Sequence, residues 1–218
     1  CPVCGGPVII SQDRKQSRCT NIDCPAQIRE RIVHFSSRRA MDIEGLAGRR
    51  IDQLLNTGLV NHIPDLYRLQ KSDLLQLEGY AQKSADNLLR EIEQSKKTTL
   101  EHFVYALDIP HVGEHLAQVL ASQFSDLKSL RQASEQTLQA IYEIGPEVAK
   151  SLCSFFANPQ NQKVLDQLLQ AGISLDNPLY TDTKQEKPLQ DQTFVFTGTP
   201  QKWTRDEAQE IVERLGCR

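Results

Sequence analysis

Cys1, Cys4, Cys19 and Cys24 follow a C-x2-C-x14-C-x4-C spacing. Four thiolates able to converge on one point outline a tetrahedral zinc site. The segment that carries them is short and polar, and Pro2, Gly5, Gly6, Pro7, Asn21 and Pro25 punctuate it. With so few apolar residues it needs a staple. A structural Zn2+ with no open coordination position is expected to fold residues 1–28 into a finger. Two disulfides and iron are the alternatives. A Cys1–Cys4 disulfide would close a very tight ring, and no secretory leader is seen. A catalytic zinc would need three ligands and an open site, and no cleft-forming sequence surrounds this one. His34, the nearest imidazole, reads as a surface or interface residue. Cys153 lies in the apolar helical run Val148 to Phe156 and reads as a small buried hydrophobe. Cys217 has no assignable role.

The elements behind the finger repeat. Four stretches align: Ile43-Glu44-Gly45-Leu46-Ala47, Leu77-Glu78-Gly79-Tyr80-Ala81, Ile109-Pro110-His111-Val112-Gly113 and Ile141-Tyr142-Glu143-Ile144-Gly145. Their third residues fall at 45, 79, 111 and 143, in steps of 34, 32 and 32. Four residues past the small Ala or Gly stand Ile51, Ala85, Ala117 and Ala149, and seven past it Leu54, Leu88, Leu120 and Leu152. Positions four and seven share a helix face, so an amphipathic helix is expected after each stretch. A helical stretch also precedes each, as in Ser72-Asp73-Leu74-Leu75-Gln76-Leu77, with Ser72 as N-cap. The unit is helix, tight hairpin, helix. Such a reversal needs a residue that tolerates φ > 0. Pro146 suits the first turn of the helix it opens. The free N–H groups at the start of each second helix form an anion site that a phosphate fits. Repeated sites suit the regularly spaced phosphates of a nucleic acid, gripped without reading its sequence. Gly-containing turns between packed helices also occur where nothing binds. Glu143 would repel a phosphate, so the fourth repeat is expected to serve packing.

The chain has 218 residues and a formal net charge of −3, which argues against simple electrostatic capture of nucleic acid. The charge is uneven. Residues 1–50 hold nine Lys/Arg and five Asp/Glu, a formal +4, and the remainder sixteen and twenty-three, a formal −7. Four thiolates on one Zn2+ add about −2 to the first figure. Arg29, Arg31, Arg38, Arg39, Arg49 and Arg50 form either a basic face or an ordinary solvated one. No apolar run is long enough to span a membrane. The chain does not begin with Met and reads as a piece of a longer protein.

A four-cysteine finger, four helix-hairpin-helix units and a tail starting Thr193-Phe194-Val195-Phe196-Thr197-Gly198-Thr199 together resemble the C-terminal half of a bacterial NAD-dependent DNA ligase. Ser37-Arg38-Arg39-Ala40-Met41-Asp42-Ile43, Thr57-Gly58-Leu59-Val60, Asp65-Leu66-Tyr67, Lys83-Ser84-Ala85, Tyr105-Ala106-Leu107 and His111-Val112-Gly113-Glu114 carry the likeness further, over essentially the whole chain. The resemblance implies a mainly α fold: a finger over 1–28, a compact helix-hairpin-helix domain over 29–176, a linker over 177–188 and an incomplete α/β BRCT start over 189–218. It implies a cytoplasmic bacterial parent, associated with the nucleoid when active, that seals nicks in duplex DNA using NAD and Mg2+. Adenylation and OB domains would lie upstream. The hairpins Gly45-Leu46-Ala47, Gly79-Tyr80-Ala81 and His111-Val112-Gly113 would contact the backbone of nicked duplex, supported by Arg49, Lys83 and Ser84. Ala47, Ala81 and Glu143 depart from a glycine-rich hairpin pattern.

In the tail, Thr193 to Phe196 alternates like a strand, and Thr204-Arg205-Asp206-Glu207 is a capping box. Thr197 and Gly198 read as structural. The chemistry of adenylation needs a Lys-x-Asp-Gly motif. The nearest string, Lys71-Ser72-Asp73-Leu74, lacks the glycine and opens a helix, so no ligation by this piece alone is expected. A non-catalytic repair scaffold and a helix-hairpin-helix nuclease subunit are the competing readings.

Overall fold

In the computed structural model, residues 1–10 and 17–181 are described. Cys1–Tyr180 form one compact unit and Thr181–Arg218 a second. The expected BRCT strand, its capping box and Cys217 lie outside the described residues.

The finger is a small hairpin. Strands β1 (Val8–Ile10) and β2 (Ser17–Cys19) pair antiparallel, with Val8 opposite Cys19 and Ile10 opposite Ser17. The helical part follows as α1 (Ile28–Ser36), α2 (Gly48–Asn56), a 3-10 helix (Ile63–Arg68), α3 (Lys71–Leu74), α4 (Gln82–Ser95), α5 (Leu100–Ala106), α6 (Glu114–Gln123), α7 (Leu127–Arg131), α8 (Glu135–Gln139), α9 (Pro146–Ala157) and α10 (Pro159–Gln170). Helices α2, α4, α6 and α9 each follow one of the four aligned stretches. The repeat register is realised in the core: Ile51, Ala85, Ala117 and Ala149 are buried, as are Leu54, Leu88, Leu120 and Leu152. Alanine at three of the four first positions removes side-chain bulk where helices approach. Pro146 opens α9 as expected.

Three local expectations change. Ser72 does not cap a helix. Gln70 is the N-cap of α3, and its N–H donates to Asp73 Oδ2 at 3.2 Å. Two short strands join the helices: β3 (Lys97–Thr99) pairs in parallel with β4 (Ser174–Asp176), with Thr98 opposite Leu175. Three residues are too few to display a period of two, and the partner strand is remote in sequence. Cys153 is half-buried rather than buried, its Sγ 3.8 Å from the Ala133 carbonyl. Asn177 is still tied to the helical unit, donating from Nδ2 to the Ala121 and Phe124 carbonyls at 3.0 and 2.8 Å.

A buried side chain joins finger to helices. Asn161 on α10 is fully buried. Its Oδ1 accepts from Ile22 N–H at 2.9 Å, and its Nδ2 donates to the Thr20 and Phe155 carbonyls at 3.1 and 3.0 Å. Ile22 is itself part of the common core. Asn161→Leu leaves these backbone groups without partners in a dry site. The expected loss is about 2–4 kcal/mol of unfolding free energy, read by urea denaturation.

Candidate metal centre and nucleic-acid interface

The β1–β2 hairpin brings the four cysteines together. Their Sγ atoms all lie within 4.8 Å of one another, with Cys1 and Cys24 3.8 Å apart and Cys4 and Cys19 3.4 Å apart. A tetrahedron with Zn–S bonds of about 2.3 Å has S···S edges of roughly 3.8 Å, so the set is clustered closely enough to hold the ion after small side-chain shifts. Cys19 and Cys24 are buried and Cys1 and Cys4 half-buried, which leaves no open coordination position. Gly6 is required by the packing: a Cβ there would sit 3.2 Å from Asn21 Cβ and 3.3 Å from Cys4 Sγ. The thiols differ before any ion arrives. The Gly6 N–H, opposed by burial, holds Cys4 down to about 7, while burial pushes Cys19 up to about 11.

The four aligned stretches form four corners. The third residue of each is left-handed: Gly45 at φ +89°, Gly79 at +80°, His111 at +68° and Glu143 at +74°. The expected hairpin geometry therefore holds even where glycine is missing. The next residue turns inward. Leu46, Val112 and Ile144 are buried and Tyr80 half-buried. The N–H of Tyr80 and Val112 closes each turn, on Leu77 O at 3.3 Å and Ile109 O at 3.0 Å. Those two residues, expected among the contacts, thus shape their corners. The amides left open belong to the helix turn behind.

Ala47, Ala81, Gly113 and Gly145 are the N-caps of α2, α4, α6 and α9, all with extended backbone and none accepting a side-chain cap bond. The first i→i−4 bonds come from Ile51, Ala85, Ala117 and Ala149. The N–H groups of Gly48 and Arg49, Gln82 and Lys83, and Glu114 and His115 precede those bonds. Helices α7, α8 and α10 follow no corner, and Asp126, Ser134 and Asn158 cap them. Helices α1, α3 and α5 also lack a side-chain cap, so it is the exposed corner that sets the repeats apart. Gly45, Ala47, Gly79, Ala81, His111 and Gly113 are all exposed. Ser84 supports its corner, its Oγ accepting from Ala81 N–H at 2.9 Å.

The corners are unequal in charge. The second helical residue is Arg49, Lys83, His115 and Glu147 in turn. Together with Gly45, Gly79, His111 and Glu143 this runs from basic to acidic. The alignment of the repeats already contained that gradient. At the fourth corner two carboxylates meet the positive end of α9. His115 Nε2 lies 2.5 Å from Glu143 Oε2, joining the third and fourth corners. The first and second are joined by Arg50, whose guanidinium lies 4.9 Å from the Tyr80 ring centroid and donates to the Gly45 carbonyl at 3.2 Å. A cleft of about 560 Å³ beside them is lined by Arg49, Arg50, Gly79 and Tyr80 and also by the carboxylates of Asp52 and Glu78.

No continuous basic face forms. Arg31 is buried, Arg29 pairs with Asp52 and Glu30, and Arg39 pairs with Glu114. Like charges at helical spacing are here distributed to separate acidic partners. His34 lies between α1 and α5, its Nε2 2.8 Å from the Tyr105 carbonyl. Among the described residues the four cysteines are the one cluster with metal-ligand geometry. Cys19→Ala is expected to release Zn2+ and unfold the finger; retention of one zinc per chain, measured by atomic absorption, would remove Cys19 from the ligand set.

Comparison with known proteins matches this geometry. Residues 1–26 match the NAD-dependent DNA ligase C4 zinc finger domain, and residues 102–165 match the helix-hairpin-helix motif. Among curated relatives, the DNA ligase of Salinibacter ruber is 50% identical over 218 residues, all of this chain and 31% of that protein. The DNA ligase of Syntrophotalea carbinolica is 48% identical over 218 residues, all of this chain and 32% of its own. That of Geotalea uraniireducens is 44% identical over 216 residues, 99% of this chain and 32% of its own. The chain thus spans about a third of the length of these relatives. Throughout that span it is a relative of the C-terminal portion of bacterial NAD-dependent DNA ligases.

Proposed function

We propose that this chain is the DNA-gripping portion of an NAD-dependent DNA ligase that seals nicks in duplex DNA. It holds the sugar-phosphate backbone without reading bases, through the first-turn amides of α2, α4 and α6. The single observation behind this reading is the combination of exposed corners and uncapped helix starts. The amides of Gly48 and Arg49, of Gln82 and Lys83, and of Glu114 and His115 stand ready for an anion. Arg49 and Lys83 add charge beside the first two corners. The fourth corner, with Glu143 and Glu147, packs and does not bind.

Gly113 offers a test of this reading. Its φ is −89°, and an added Cβ would meet nothing within 4 Å. Ala47 and Ala81 hold the equivalent places, so the cap itself accepts a Cβ, and a bulkier side chain there probes approach from outside.

Zn2+ is structural in this piece. NAD and Mg2+ act in the parent enzyme, at sites outside it, in company with upstream adenylation and OB domains. Lys71-Ser72-Asp73-Leu74 is helix α3 and lacks the glycine of an adenylation motif, in keeping with an adenylation site on the upstream part of the parent. The parent works in the bacterial cytoplasm, on the nucleoid.

Two measurements test this. Gly113→Val should weaken binding to nicked duplex about tenfold while shifting stability by less than about 1 kcal/mol. Gly79→Val is the contrast: at φ +80° it should also lose roughly 1–2 kcal/mol of folding free energy. Equal affinity of the Gly113 variant and the parent chain would contradict the reading. Affinity should also fall only shallowly with salt, because neutral amides dominate the grip. A slope matching six or more neutralised phosphates, at about 0.9 each, would mean a cationic surface instead. Absence of binding to nicked and intact duplex at low salt would favour a protein-binding scaffold.

A further inference from the structure

We propose that Asp108 is a positioning residue: held from the metal-bearing strand, it fixes the third corner. The inference rests on the reading of that corner as a phosphate site, and deepens it.

Asp108 is the last residue before the corner Ile109–Gly113. It is left-handed at φ +52°, and its N–H ends α5 on Tyr105 O at 3.1 Å. The next left-handed residue is His111, again not a glycine. Two non-glycine residues in that region, three apart, need fastening from outside the turn. Asp108 supplies it. Its carboxylate is held by Arg18 of β2, the residue just before ligand Cys19. Arg31 Nη1 on α1 lies 3.7 Å from the same oxygen.

Arg31 explains why this contact reaches the metal site. Its side chain is only 2% exposed. Nη2 donates to the Cys19 carbonyl at 2.9 Å and to Gln27 Oε1 at 3.2 Å, while Nε and Nη1 have no hydrogen-bond partner. A guanidinium buried this way adds little to stability compared with an apolar side chain. It does connect three elements: the strand carrying Cys19, helix α1 and the residue that leads into the third corner.

The first corner provides an internal control. Asp42 stands at the same place before Ile43 and is left-handed at φ +49°, yet it is exposed. Among the described residues, only the third corner has this residue gripped by the finger.

The test is Asp108→Asn in the full chain. Asparagine tolerates the backbone and removes only the charge. Amide hydrogen exchange is read at Val112, Tyr80 and Ile144, the three N–H groups that close their turns. Val112 should exchange about tenfold faster, the other two should not change, and zinc should stay at one per chain. Asp42→Asn should leave all three unchanged. Arg18→Met, at a half-exposed position, should reproduce the selective effect and carries the test if the Asp108 variant does not fold. Binding to nicked duplex should weaken several-fold. Charge alone predicts the opposite, because the variant is less acidic. An unchanged Val112, or equal acceleration at all three amides, overturns the proposal. Should the unmodified chain bind no duplex, the DNA reading falls, and the exchange data still decide the role of Asp108.

Discussion

Each corner of this protein depends on one residue accepting a left-handed backbone. Gly45 and Gly79 do so without steric penalty, whereas His111 and Glu143 each give up roughly 1–2 kcal/mol. The geometry fixes everything around it. It turns Leu46, Val112 and Ile144 into the core and starts the following helix without a side-chain cap. It aims the aliphatic face of that helix, four and seven residues on, at the common core. The same backbone state therefore serves packing at all four corners. The fourth differs from the others in charge, with Glu143 and Glu147 at the start of α9.

The finger depends on a different constraint. A segment of so few apolar residues cannot stand alone, and two buried polar joints bind it to the helices. Asn161 satisfies backbone groups on both sides of the junction. Arg31 reaches the carbonyl of a metal ligand from α1. Asn161 is fully satisfied, whereas Arg31 leaves Nε and Nη1 without hydrogen-bond partners and so links the parts at a cost. Metal site and helical part thus belong to a single compact unit, and the order of one bears on the other.

Much of this was legible in the residues. The cysteine spacing named its ion, and the register at +4 and +7 named eight core positions. Pro146 marked a helix start. Other features were hidden for physical reasons. Three-residue strands such as Lys97–Thr99 carry no period, and their partner is distant in sequence. Ser72 resembled a cap, but Asp73 reached back to Gln70 first. For six arginines the sequence left a basic face and an ordinary solvated one both open, because a linear sequence does not show which acidic partner waits across the fold. The burial of Arg31 and Asn161 was illegible for the same reason: a polar residue is an ordinary surface residue until the groups that satisfy it are brought together. The sequence placed the corners, but it could not show that the Tyr80 and Val112 N–H groups close their own turns.

The central claim is that open first-turn amides hold phosphates at three corners and not at the fourth. Backbone amide chemical shifts followed during titration with a nicked duplex test it most directly. The account predicts the largest changes at Gly48 and Arg49, Gln82 and Lys83, and Glu114 and His115, with Glu147 left in place. Changes confined to exposed arginine side chains, or spread evenly over all four corners, would contradict it.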